Sequence, residues 1–400
     1  MSLSQQPRHS RYDIVIIGGG IMGASVAFWC ARSPDFQGRI LVVERDPSYE
    51  NASTSHTNSC IRQQFGTSVN VQASQFGAEF IHNFQEFMGD PSVPDIALHP
   101  FGYLYLAANT AQDAVLRRNQ ALQANLGAQT KMLTPEDLAS RFPYMQFDDI
   151  VSGSFNTKDE GYFDSGTVFD QLRRQSRKLG VEFVAAQAVG LECRGQKITA
   201  VTLADGSQIS AGQVVNAAGP RAAQIAAMAG LSLPVEPRKR YTYIFEAETP
   251  LSATMPLTVD PSGVHFRQDG RYFMTGCAPD HDVAVSPDDF IQDHDLWLEK
   301  VWPALAARIP AFERIKLRQS WAGHYAYNTF DQNALIGPHS DLTNLFFING
   351  FSGHGIQHAP AMGRGVAELM LTGGFQTLDL SPLLIDRLLS NTPLIEPAII

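Results

Sequence analysis

The 400-residue chain is 44% hydrophobic and 18% charged, the make-up of a soluble globular protein with enough material for two domains. Its formal net charge of −10 argues against nucleic acid or an anionic membrane surface as the main partner. The N-terminal MSLSQQPRHS lacks the apolar stretch of a secretory signal, and no run reaches the roughly 18 apolar residues of a membrane span. Cys30, Cys60, Cys193 and Cys277 form no CxxC pair, so reduced thiols in a cytoplasmic protein are expected, with no metal site and no disulfide frame.

The first apolar run, Tyr12 to Ile17, leads into GGGIMG at Gly18 to Gly23, then a helix-like stretch, then Ile40 to Val43 and Glu44-Arg45. This strand, glycine turn, helix, strand and acid sequence is that of a dinucleotide-binding unit. Gly18 permits the tight turn, Gly20 lets backbone approach a pyrophosphate at the helix N-terminus, and Gly23 lets the helix lie against the strand. Glu44 is placed to accept hydrogen bonds from a ribose diol. The small polar loop Asn51 to Gly66 comes next, followed by a helix-like stretch from Val69 to Phe87 and a strand at Phe101 to Ala107. Thr134-Pro135-Glu136-Asp137 has the marks of a helix start.

From Gly161 the chain alternates again: a helix over Gly166–Leu179, a strand over Val181–Ala185, a hairpin of Val189–Cys193 with Lys197–Leu203, and the apolar run ending in Ala217-Ala218-Gly219-Pro220. Leu233 to Arg318 is strand-like, with Tyr241–Phe245, Val264–Arg267 and Tyr272–Thr275 alternating, and Ser286-Pro287-Asp288-Asp289 reads as another helix start. Leu345–Asn349 is a strand, then GFSGHG, then a helix over about 357–371. The expected domains are a discontinuous nucleotide domain (1–90, 146–232, 318–400) and a substrate domain (91–145, 233–317).

Four segments, GGGIMG with Glu44-Arg45, VVNAAGP, WAGHYAYNTFDQNALIGP and NGFSGHGIQHAPAMGRGVAEL, together resemble the FAD-dependent D-amino-acid oxidase superfamily, on the branch of sarcosine oxidases and dehydrogenases and glycine oxidase. The resemblance implies a mixed α/β and α+β protein: a Rossmann-like FAD-binding domain and a discontinuous second domain on a mainly antiparallel sheet. It implies noncovalent FAD held by Gly18, Gly20, Ile21, Met22, Gly23, Glu44 and Arg45; by Ser55, His56, Asn58 and Ser59 of the polar loop; by Val189, Ala217, Ala218, Gly219 and Gly323; and by Gly350, Phe351, Ser352, Gly353, His354, Gly355, Ile356 and Gln357. His324 and His56 lie near positions where relatives attach the flavin covalently.

Family members oxidise the C–H bond next to an amine nitrogen by hydride transfer to flavin N5, so an amine or amino acid is the expected substrate and oxygen, a quinone or a carrier the expected acceptor. Arg62 is a candidate carboxylate anchor, because a guanidinium clamps a carboxylate with two parallel bonds, and Arg267 is the second. Tyr325, Tyr327 and His324 are candidate pocket residues. Two departures from the sarcosine oxidases stand out. Gln357 replaces a lysine that helps hold the substrate carboxylate, and GRYFMTG lacks the lysine that promotes reaction with oxygen, which tilts the expectation toward a dehydrogenase. A flavoprotein whose FAD is structural, with an assembly or interaction role, is the alternative from another class; an NAD-dependent dehydrogenase is a third.

Overall fold

The computed structural model describes residues 3–251 and 253–397. Two large sheets organise it. In the first, Arg11–Ile17 lies between Ile40–Glu44 and Gln208–Asn216, both parallel to it. Leu345–Asn349 runs parallel to the end of Gln208–Asn216, and Glu182–Ala185 extends the other side beyond Ile40–Glu44. Parallel strands need both faces covered, and the residues supply this: Ile40, Leu41, Val42 and Val43 are all buried. Ile14, Ile16 and Val42 pack with the helices Ile21–Arg32 and Gly355–Thr372, whereas Val15, Leu41 and Val43 belong to a second core on the opposite face.

The second sheet has eight strands and is mainly antiparallel. Its long pair is Val235–Ala247 with Ile315–Asn328. Tyr272–Cys277, His265–Asp269, Leu257–Val259, Tyr103–Ala107, Ser152–Asn156 and Lys131–Leu133 complete it, with one parallel pairing, between Leu257–Val259 and Tyr103–Ala107. The boundaries expected at 146 and 318 fall before Ser152–Asn156 and inside Ile315–Asn328, two strands of this sheet.

Most predicted elements form where their patterns place them. The helix at Thr134 starts with a capping box, its hydroxyl accepting from Asp137 N while Asp137 accepts from Thr134 N. The long helix-like stretch is instead two helices, Ser68–His82 and Phe84–Met88, meeting at Asn83. Ser286-Pro287-Asp288-Asp289 starts no helix: it is a turn, and the next helical residues begin at Asp295. The acids that resemble an N-terminal turn are used as tethers, Asp288 to Arg45 and Arg221 of the nucleotide domain and Asp289 to Lys239.

Candidate functional site

The glycine turn meets its steric requirements through the neighbouring strand. Gly18 has φ of 102°, and a Cβ there would collide with the Ala217 carbonyl. A Cβ on Gly23 would strike the Gly18 carbonyl, so the helix lies on the turn as closely as backbone allows. Glu44 is 8% exposed. Its Oε2 accepts from Gly19 N and its Oε1 from Asp46 N, each at 2.8 Å. Burial raises its pKa while these two N–H groups oppose the rise. The sequence reading assigned Glu44 to a ribose; the structure adds that it already braces the turn. Thr54 was not singled out, yet its Oγ1 accepts from Ile21 N at 3.1 Å, fastening the polar loop to the helix N-terminus.

From this turn a cavity of about 370 Å³ runs between the two sheets. Of the residues expected to hold the cofactor, Gly18, Gly20, Ile21, Met22, Glu44, Arg45, His56, Asn58, Ala217, Ala218, Gly219, Gly323 and every residue from Gly350 to Gln357 line it. Gly23, Ser55, Ser59 and Val189 stand outside the lining. Ser59 spends its hydroxyl on Ser165 at 2.7 Å, and Val189 is an exposed residue whose neighbour Ala188 faces the cavity instead. At the mouth, Asp288 lies against Arg45 at 3.6 Å and pairs with Arg221, joining the substrate-side turn to the nucleotide domain.

At the far end Arg62, Tyr103, Arg240, Leu257, His265, His324 and Tyr325 line the same cavity. Arg62 is nearly buried, its guanidinium carbon 4.2 Å from the Phe65 ring centroid. Its backbone N donates to Gln357 Oε1 at 2.7 Å. Gln357 therefore takes a structural task at the position where the resemblance expects a lysine. Tyr325 is pressed against Gly353, whose φ is 104° and whose Cβ would enter the ring, and Arg240 covers the ring at 4.7 Å. Arg240 is itself held by Asp282 through two bonds of 2.8 and 3.0 Å.

The other candidates are placed differently. Arg267 is outside the lining; its buried guanidinium donates to Asp269 Oδ1 at 2.9 Å and to the Asn58 carbonyl at 3.3 Å. Tyr327 is also outside, under the Arg238 guanidinium at 4.1 Å. His324 reaches the cavity, with Nε2 2.9 Å from the Asp289 carbonyl oxygen, to which it donates as the Nε2–H tautomer. Burial lowers the pKa of His324 and His56 and holds His354 well below the usual histidine range. His265, which sequence patterning left as a strand residue, is pushed down to about 4 by burial. Its Nε2 accepts from Asn58 Nδ2 at 3.1 Å, leaving Nδ1 to carry the proton.

The cavity fits a dinucleotide. The glycine turn, the N-terminus of Ile21–Arg32 and the buried Glu44 stand at one end, and the Gly350–Gln357 segment, which opens the helix Gly355–Thr372, stands farther along. Tyr49 Oη, Asn349 Oδ1 and His354 Nε2 are buried wall atoms with no hydrogen-bond partner among the described residues, a polar surface suited to a polar ligand. Fold and site together define a dinucleotide-binding protein of two domains with its pocket between them.

The family follows from comparison. Residues 13–369 match the model of DAO, the FAD dependent oxidoreductases. The chain is 40% identical over 413 residues to FAD-dependent oxidoreductase domain-containing protein 1 of Bos taurus, covering 94% of this chain and 85% of that protein. It is 25% identical over 395 residues to mitochondrial dimethylglycine dehydrogenase of Rattus norvegicus, covering 93% of this chain but 44% of that protein. Among solved structures, L-proline dehydrogenase from P. horikoshii superposes with a TM-score of 0.82 at 26% identity, covering 98% and 100% of the two chains. The chain belongs to the DAO family and is an FAD-dependent oxidoreductase.

Proposed function

We propose that the chain oxidises the C–H bond next to the nitrogen of an amine that carries a carboxylate, passing the electrons to an acceptor other than oxygen. The observation that carries this reading is the position of Arg62, buried in the wall of the cofactor cavity at the end away from Glu44, with its backbone locked to Gln357. The bound FAD supplies the two-electron acceptor. The protein's task is then to orient the amine and exclude water.

Arg62 holds the carboxylate through charge-assisted bonds. Burial lowers the pKa values of His265, His324 and His354 and so keeps them neutral, and the same desolvation at this end disfavours an ammonium, which favours the neutral amine that gives up a hydride. Glu44, Thr54 and the glycine turn hold the nucleotide end. The names of two relatives support the substrate class, since proline and dimethylglycine are both amines bearing a carboxylate. The acceptor assignment rests on the strand Tyr272–Cys277, which brings no lysine to the site, and on Arg240, whose charge is matched by Asp282.

The test is anaerobic mixing of holoenzyme with L-proline, N,N-dimethylglycine and other amino acids, beside pyrrolidine and trimethylamine, while following flavin absorbance. Bleaching by a carboxylate-bearing amine is expected. Bleaching by the carboxylate-free amines with equal efficiency, or by no amine at all, contradicts the reading.

A further inference from the structure

The segment Arg62-Gln63-Gln64 has no strand or helix to hold it, although its three side chains are buried. A buried backbone outside regular structure must find its hydrogen-bond partners elsewhere. Arg62 N finds Gln357. Gln63 N finds Glu160, donating to its Oε1 at 2.8 Å.

Glu160 is fully buried. Its Oε1 also accepts from Asn156 Nδ2 at 2.9 Å, and its Oε2 accepts from Gln64 Nε2 at 2.9 Å. The direction of that last bond is fixed: Gln64 Nε2 also donates to the Tyr103 carbonyl, which only accepts, at 2.9 Å. Gln64 Oε1 in turn accepts from Ser154 Oγ at 2.7 Å. Every group facing Glu160 is therefore a donor, and only an acceptor at both oxygens satisfies them all. Burial pushes the Glu160 carboxyl up to about 7, against the pull of these donors and of the Arg62 charge.

Glu160 does not line the cofactor cavity. Its bonds instead run to the two residues that follow Arg62 and to Asn156 of the second sheet, with Tyr103, a cavity-wall residue, bonded through Gln64. It links the strands behind the substrate end of the cavity to the backbone that carries the guanidinium.

We propose that Glu160 is a positioning residue for Arg62: its carboxylate fixes the Arg62-Gln63-Gln64 backbone against the second sheet and so sets the affinity of the site for substrate carboxylates. The inference rests on Arg62 being the carboxylate anchor and deepens that reading. A carboxamide at 160 retains the size of the side chain but turns an NH₂ toward a donor, whichever way it is placed. The backbone must then shift or leave a buried donor unpaired.

The experiment titrates oxidised holoenzyme with propionate, and with its neutral isostere propionamide, reading the shift in flavin absorbance. Glu160→Gln is expected to weaken propionate about tenfold, with propionamide affinity and FAD affinity unchanged. Arg62→Ala is expected to weaken propionate about 10–100-fold, and adding Glu160→Gln to it is expected to do nothing more. Asn156→Ala, which removes one donor and no charge, is expected to give a smaller loss in the same direction, and it decides the matter if Glu160→Gln does not fold. Unchanged propionate affinity in Glu160→Gln or Asn156→Ala overturns the positioning role, as does an equal loss for propionamide or a further loss in the double variant. If Arg62→Ala itself leaves propionate binding intact, it is the anchor reading that fails, and the two failures are told apart by that variant alone.

Discussion

Gln357 Oε1 accepts the backbone N–H of Arg62 at 2.7 Å, tying the first turn of the helix Gly355–Thr372 to the segment that carries the cavity-wall arginine. The bond is buried. Gln357→Leu should leave that N–H unpaired. An unsatisfied buried donor costs about 1–3 kcal/mol, so chemical denaturation should show a loss of that order. Carboxylate affinity should fall with it. Gln357→Lys should behave similarly, since an ammonium presents a donor to a donor. Full stability in Gln357→Leu would show that the bond contributes nothing.

Glu44 carries the second expectation. Removing its carboxylate takes away the acceptor for Gly19 N and Asp46 N as well as any bond to the nucleotide. Charge-assisted bonds contribute about 1.5–3 kcal/mol each, so Glu44→Ala should weaken FAD binding about 10–100-fold while the two sheets remain folded. Fluorescence titration of apoprotein with FAD measures this. The apoprotein itself should be accessible by acid precipitation, with FAD left in the supernatant, because His324 uses Nε2 on the Asp289 carbonyl. Flavin that stays with the precipitate would mean a covalent bond, at His324 or His56.

How the sequence reveals these features depends on how local they are. The glycine turn, Glu44 and the GFSGHG segment were legible because their roles are set by backbone spacing within about 30 residues. Gly18, Gly20 and Gly350–Gln357 accordingly line one cavity. Glu160, Gln64 and Asp282 were not legible, since each gains its role from a partner brought near by folding: Gln63 N across 97 positions for Glu160, and Arg240 across 42 for Asp282. Arg267, the second anchor candidate, stands outside the cavity lining. Its alternating strand pattern was read correctly, but Asp269, two residues on, and the Asn58 carbonyl claim its guanidinium. At Ser286 the Pro and two acids imitated a helix start while serving long-range ion pairs.

The histidines set an acid limit on stability. Burial lowers the folded-state pKa of His265 to about 4 and of His358 to about 3, against an unfolded value of about 6.5. As pH falls below about 6.5 the unfolded chain takes up protons that the folded chain does not, so stability falls with pH down to about 4 for His265 and about 3 for His358. Each group contributes a slope of up to about 1.4 kcal/mol per pH unit. Glu160, raised to about 7 by burial, contributes the opposite slope over the same range, so the histidine contribution is read as a difference: between pH 7 and 5 the thermal midpoint of the holoenzyme should fall more, or rise less, than that of His358→Gln. Equal pH dependence in the two would contradict the buried, neutral state of His358.

Reoxidation is expected to be slow with oxygen. The strand Tyr272–Cys277 supplies no lysine, and the Arg240 charge is matched by Asp282, so the anion formed on the way to peroxide gains little stabilisation there. Stopped-flow mixing of reduced enzyme with oxygen, and separately with a soluble quinone, should show the quinone reacting faster. Rapid reaction with oxygen would make the protein an oxidase.

The most direct test of the account is the dependence of flavin reduction on Arg62. Holoenzyme and Arg62→Ala are mixed anaerobically with a reducing amino acid and with the same amine lacking its carboxylate, and the half-saturating concentration for flavin bleaching is read for each. Loss of a bidentate charged contact should raise that concentration about 10–100-fold for the amino acid and leave the carboxylate-free amine nearly unchanged. Equal changes for both, or no change for either, would contradict a carboxylate-bearing amine held by Arg62.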